Sequence, residues 1–255
     1  MGKVAVMTRW KAFTIHLTIS ATIAVGVSAL MLMLWYTPSF FAAAGGKKLL
    51  LLLLGVDVTL GPLITLIIFN ITKSRKELVF DLSIIAVIQF AALFYGMSVM
   101  FQSRPVYVVF NKDTFSLVTA NQISDEDLAQ SRDADFKSLP MTGPVYVFAE
   151  MPTTKEEIED VETFTFFGKG LHYFPQYFKP YAEPMLLAGQ AAKPLTDLRK
   201  LNEARITEIN QVIQSSGRTE ADLGFLPLRG ERMNLVVLLG KSDGKVLKIL
   251  QMKPF

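Results

Sequence analysis

Cysteine is absent from all 255 residues. That excludes disulfides, structural thiolate zinc sites and cysteine nucleophiles, and it removes the usual clue to redox compartment. Histidine is nearly absent, with only His16 and His172. The two fall in segments of opposite character, so no histidine metal cluster is expected and none is assigned. Charge is sparse too, at 19% of residues against 51% hydrophobic. A chain this apolar is not expected to be wholly soluble. Catalytic signatures are also lacking. There is no G-x-S-x-G elbow and no H-E-x-x-H pair. Gly240-Lys241-Ser242 resembles the end of a phosphate loop, but Leu235 stands where the pattern needs glycine and a hairpin turn follows. No cofactor is implied, and the chain is not expected to be an enzyme.

What is present is organised in two parts. Up to residue 103 there are eight Lys and Arg against three acids, a net +5; the remainder carries 18 against 20, a net −2. The basic residues therefore flank apolar segments, and nothing forms a nucleic-acid footprint. Three long apolar windows run from about Ala12 to Leu34, Leu49 to Phe69 and Leu82 to Phe101. Each has roughly the 20 residues that cross ~30 Å of hydrocarbon as a helix. The first is too long for the apolar region of a cleaved signal peptide, so we expect it to be retained. Arg9, Trp10 and Lys11 precede it as expected cytoplasmic-side anchors, and Lys73, Arg75 and Lys76 fill the second loop. Positive-inside reasoning places the N-terminus in the cytoplasm and everything after the third span outside it.

From Arg104 onward the pattern is that of a small α+β extracytoplasmic domain with an antiparallel sheet, residues 104–255, after a three-helix transmembrane region of residues 1–103. Strands are expected near Pro105–Phe110, Phe115–Thr119, Val145–Ala149, Asn234–Leu239 and Val246–Met252, the last two joined at Asp243-Gly244. Helices are expected near Ser124–Arg132 and Lys155–Glu162, and a long one from Pro194 to Ser215. The segment from Leu171 to Tyr181 is dense in rings and proline. Tyr173, Phe174, Tyr177 and Tyr181 either form a docking loop or pin that loop into the core.

Gly55-Val56-Asp57-Val58-Thr59-Leu60-Gly61-Pro62 is the anomaly of the second window. Asp57 is an ionisable residue well inside an apolar span, which by default marks a functional site. Counting depth along antiparallel helices brings Tyr95 near its level, with Gln89 lower. Asp57, Tyr95 and Thr59 or Ser98 then make a polar clasp between helices, or Asp57 meets a polar group on a partner's helix. Gly55 and Gly61 suit close helix approach, and Pro62 removes a backbone donor. His16 reads as an interfacial residue rather than a proton relay.

Arg9-Trp10-Lys11-Ala12-Phe13-x-x-His16-Leu17, Gly55-Val56-Asp57-x-x-Leu60-Gly61-Pro62-Leu63-x-Thr65, Phe80-Asp81-Leu82 and Arg104-Pro105-Val106-Tyr107 resemble the TfpX/TfpZ family of type IV pilin accessory proteins. The resemblance covers essentially the whole chain. It implies a bacterial inner-membrane protein that helps a cognate major type IV pilin into, or through, the pilus as a chaperone or modulator of fimbrial assembly and twitching motility. It implies contact with the pilin's apolar helix within the membrane lipids and with its head outside, and Asp57 engaging a polar group of that helix. A membrane-anchored scaffold or sensor with a protein-binding periplasmic domain is the competing reading; a membrane transferase acting on pilin or lipid is another.

Overall fold

The computed structural model describes residues 8–70 and 72–255. The chain divides into two compact units. The first comprises residues up to Leu34 together with Gly46–Gln102; the second comprises Trp35–Gly45 and Ser103–Phe255.

Three helices of the first unit are long and apolar enough to cross a membrane. Helix α1 (Arg9–Leu34) has 26 residues. Four of its hydroxyls are folded onto its own backbone: Thr14, Thr18, Thr22 and Ser28 each donate to the carbonyl four residues back, at 2.6–2.9 Å. That hides polar atoms an apolar medium cannot satisfy. After the short α2 (Pro38–Ala43), which belongs to the second unit, the second long helix runs Gly46–Ile68. It has three parts: α3 (Gly46–Leu54), a π-helical turn (Gly55–Leu60) and α4 (Gly61–Ile68). Helix α5 (Arg75–Gln102) starts at a reciprocal cap, in which the Glu77 carboxylate accepts from the Ser74 N–H at 2.8 Å and the Ser74 hydroxyl accepts from the Glu77 N–H at 3.3 Å. Its first two turns carry Arg75, Lys76, Glu77 and Asp81, and the helix begins seven residues before the apolar window does.

The second unit is built on one eight-stranded sheet. Its strands are β1 (Pro105–Asn111), β2 (Thr114–Thr119), β3 (Val145–Ala149), β4 (Phe178–Pro180), β5 (Lys193–Pro194), β6 (Leu223–Arg229), β7 (Leu235–Gly240) and β8 (Val246–Leu250). The order is β4-β3-β1-β2-β6-β7-β8, with β5 also on β6. The sheet is mixed, not antiparallel as expected: β1 pairs with β3 and β2 with β6 in parallel. Parallel neighbours need long crossovers. Residues 112–144, which include β2 and α6 (Asp125–Ala129), connect the first pair, and residues 120–222 connect the second. Every residue of β7 is buried, so both faces of the sheet are covered there.

Around the sheet lie α7 (Lys155–Phe166), α8 (Met185–Ala191), α9 (Leu195–Leu201) and α10 (Ile206–Ser216). The long helix expected from Pro194 is broken between α9 and α10. Asn202 breaks it: its amide donates to the Leu198 carbonyl at 3.1 Å and to the Lys253 carbonyl at 2.9 Å, and accepts from the Lys253 N–H. One side chain thus ends α9 and ties down the C-terminal tail. The core of this unit includes two clusters. One gathers Tyr107, Phe136, Phe174 and Phe178; the other gathers Leu198, Ile209, Phe225 and Leu238.

The segment Trp35–Gly45 falls outside the boundaries expected for the second domain, yet it is integral to that unit. Phe40 and Ala43 are buried, and the Arg232 N–H donates to the Ala43 carbonyl at 3.0 Å. Gly230 makes room for this contact, because a Cβ there would lie 2.9 Å from that of Ala43.

Candidate functional site

The first unit holds a cavity of about 300 Å³ between its three long helices. Most of its lining is apolar, including Ile19, Ile23 and Leu93, but Ser20 faces it, as do the four residues His16, Asp57, Thr65 and Gln89. These four come from all three spans and are connected. The His16 Nδ1 lies 2.6 Å from the Thr65 hydroxyl, and its Nε2 lies 2.7 Å from the Gln89 side-chain oxygen. The Gln89 amide nitrogen donates to the Asp57 backbone carbonyl at 3.1 Å. That last bond fixes the orientation of the Gln89 amide, since a carbonyl only accepts. The Gln89 oxygen therefore faces His16, so Nε2 carries the ring proton, and in the neutral ring Nδ1 accepts from Thr65.

Pro62 explains why the Asp57 carbonyl is available. In a π register a carbonyl bonds to the N–H five residues on. Five residues beyond Asp57 stands Pro62, which has no N–H. The carbonyl left over by the π turn is the one that Gln89 takes up. Gly61 makes the approach possible, because any Cβ there would overlap the Gln89 amide. The Asp57 side chain is also inside, with 7% of the residue exposed. Its Oδ1 is buried and has no hydrogen-bond partner among the described residues.

This arrangement belongs to a chain with known relatives. It is 31% identical over 231 residues to the fimbrial assembly protein, serogroup I, of Dichelobacter nodosus, and 30% identical over 230 residues to that of serogroup E1; each match covers 89% of both chains. A third relative, the fimbrial assembly protein of serogroups C1 and C2, is 35% identical over 117 residues, which is 46% of this chain and 89% of that protein. This chain belongs to the fimbrial assembly protein family. The resemblance noted in its motifs is thereby borne out. No protein-family model matches the chain, and no solved structure does.

Within this chain the expected site residues separate. Asp57, Gly61, Pro62 and Gln89 come together as described. Gly55 is exposed and a Cβ on it would meet nothing within 4 Å, so it makes no close helix contact. Gly96 of α5 takes that role, since a Cβ there would fall 2.7 Å from Leu53. Tyr95 is 74% exposed and takes no part in the cluster. Its depth suits a clasp but its azimuth does not: six residues beyond Gln89 is about 240° around a helix. Thr59 and Ser98 are exposed as well, and Ser98 accepts from Gln102 instead.

His16 is the residue that sequence reading missed. It is not an isolated interfacial residue, because Gln89 links its ring to the Asp57 backbone carbonyl. A signal was there. His16 lies four residues in from the start of the first apolar window, and Thr65 lies four residues from the end of the second. Antiparallel neighbours place such positions at one depth. Arg9, Trp10 and Lys11 open α1, where Trp10 is exposed and packs edge-on against Phe13.

In the second unit, Phe174, Tyr177 and Tyr181 are buried and Tyr173 is half-buried. Phe174 and Tyr177 belong to a core cluster, and the Tyr181 hydroxyl donates to the Gly244 carbonyl at 2.8 Å. The docking reading of this loop is corrected to packing: proline-broken backbone is anchored here by its rings. The most open rings of the unit are instead Phe166 and Phe167 at the end of α7, 85% and 78% exposed. Asp127 illustrates how the loops are tied. Burial raises its carboxyl, but hydrogen bonds from Lys169 and Ser124 outweigh that and hold it below the usual range.

Proposed function

We propose that this protein is a non-enzymatic inner-membrane accessory factor for a cognate type IV pilin, promoting pilus assembly and dynamics by contacting the pilin's transmembrane helix and its head. The observation that carries this reading is the kinship, over 89% of both chains, with a protein named for fimbrial assembly. The three membrane-competent helices supply the surface on which a single apolar helix is held, as the resemblance to pilin accessory proteins implies. On this reading the N-terminus is cytoplasmic and the sheet domain periplasmic, in keeping with the basic residues before α1 and in the Lys73–Lys76 loop. The scaffold reading rests on Phe166 and Phe167, whose exposure suits a protein-binding surface outside the membrane.

Photo-crosslinkers placed at Ile19 or Ile23 in living cells, together with a gene deletion, test the proposal. Pilin adducts from these positions, and loss of surface pili and twitching on deletion, are the expected results. Adducts only from α7, to envelope proteins other than pilin, would instead favour the scaffold. Normal piliation after deletion removes the proposal.

A further inference from the structure

The bundle cavity has one unmet need. Each ring nitrogen of His16 has a partner, and both ends of the Gln89 amide are engaged. Among the described residues that leaves the Asp57 carboxylate, more than nine-tenths buried, with Oδ1 unpartnered in a chamber whose remaining polar lining is His16, Ser20, Thr65 and Gln89 and whose other walls are apolar. A carboxylate in low dielectric without a donor is costly, and a cationic donor relieves that cost better than a neutral one. The apolar lining residues ask for a hydrocarbon body. At about 300 Å³ the chamber is at the small end of ligand pockets.

We infer that the cavity is a binding site for a primary ammonium carried on an apolar chain, with the ammonium on Asp57 and the chain along Ile19, Ile23 and Leu93. The His16–Gln89 pair does not bind the cation. It holds the π turn in place, and so holds the carboxylate facing the chamber. The site does not depend on pilin contact, and it goes beyond the proposed function.

The test uses the full chain in phosphatidylcholine nanodiscs, with n-octylammonium as probe and n-octanol as its uncharged match. The expected result is a saturable rise in unfolding temperature with octylammonium and little with octanol. Asp57→Asn keeps the shape and removes the charge, and its apparent affinity for octylammonium should fall about tenfold or more. Ala86→Phe fills the chamber while leaving Asp57 intact, and should abolish the response. Each variant's unfolding temperature without probe reports whether it folds. Where one does not fold, the other carries the test. Repeating the titration in phosphatidylethanolamine separates two sources of the same chemistry. A lost response there means the lipid amine already fills the site; a retained one means a non-lipid amine is its ligand. Equal responses to octylammonium and octanol, or an Asp57→Asn response equal to wild type, overturn the inference. Piliation is scored separately in the same variants: intact pili with a lost ammonium response leave the site standing and detach it from pilin handling.

Discussion

Gly55 and Gly61 lie six residues apart in one span, yet they carry opposite expectations. A methyl group on Gly61 would have to displace the Gln89 amide, and with it the bonds to His16 and to the Asp57 carbonyl. A methyl group on Gly55 meets only open space. We expect Gly61→Ala to destabilise the protein by about 1–3 kcal/mol, because displaced buried partners are left unsatisfied. Gly55→Ala should be neutral or stabilise by up to about 1 kcal/mol, since alanine loses less backbone entropy in a helix. Equilibrium unfolding in mixed micelles measures both. Equal effects, or the reverse order, would show that the Gln89 approach is not what requires glycine at position 61.

At the level of elements, the irregular second span is a single device. Pro62 withdraws an N–H, the π turn leaves the Asp57 carbonyl exposed, and Gln89 of α5 accommodates it. The parts should therefore be coupled. Gln89→Leu alone should cost about 1–2 kcal/mol, within the range of membrane hydrogen bonds. Pro62→Ala restores the missing donor and lets the Asp57 carbonyl bond within its own helix. In that background Gln89→Leu should cost about 0.5–1 kcal/mol less, a non-additivity that a double-mutant cycle isolates. Strict additivity would mean that the proline and the glutamine act independently. The same span shows how far a sequence can be read. All three spans were legible, because about 20 apolar residues in a row admit few alternatives. Which face of each looks inward was not. Helices apolar on every side carry no stripe to mark the interior, so depth along the helix was legible while azimuth was not. Depth alone therefore points to Tyr95, and only azimuth brings His16 into the cluster. In the sheet, β7 and β8 were legible from Asp243-Gly244, whereas β6 was hidden by Gly224 and Pro227, residues that argue against a central strand. It is tolerated because the β5 and β2 pairings on one side of β6 leave a gap at Leu226 and Pro227.

For the whole molecule, solution pH acts mainly through the sheet domain. His172 is half-buried there, its ring centroid 4.1 Å from that of Tyr173. Burial, with the Arg229 charge adding to it, pushes its pKa down to about 4. The folded state therefore keeps the ring neutral where the unfolded chain, with a pKa near 6.5, takes up a proton. Stability from this residue is full above about pH 6.5 and is lost as pH falls toward 4. Between about pH 7.5 and pH 5 the loss amounts to about 2 kcal/mol. Carboxylates do not obscure this window. Asp243, held to about 2 by its bidentate pairing with Arg218 at 2.7 and 3.0 Å, contributes stability that is lost only as pH falls below the ordinary carboxylate range. If the domain is periplasmic, as proposed, this dependence makes it responsive to external acid. Amide hydrogen exchange of β1 and β7, followed across that pH range in detergent-solubilised protein, reads the stability of the domain directly. Wild type should lose protection by roughly one to two orders of magnitude from the upper to the lower limit, whereas His172→Gln should stay nearly flat. A wild-type profile as flat as that of His172→Gln would mean that the ring takes its proton in the folded domain without strain.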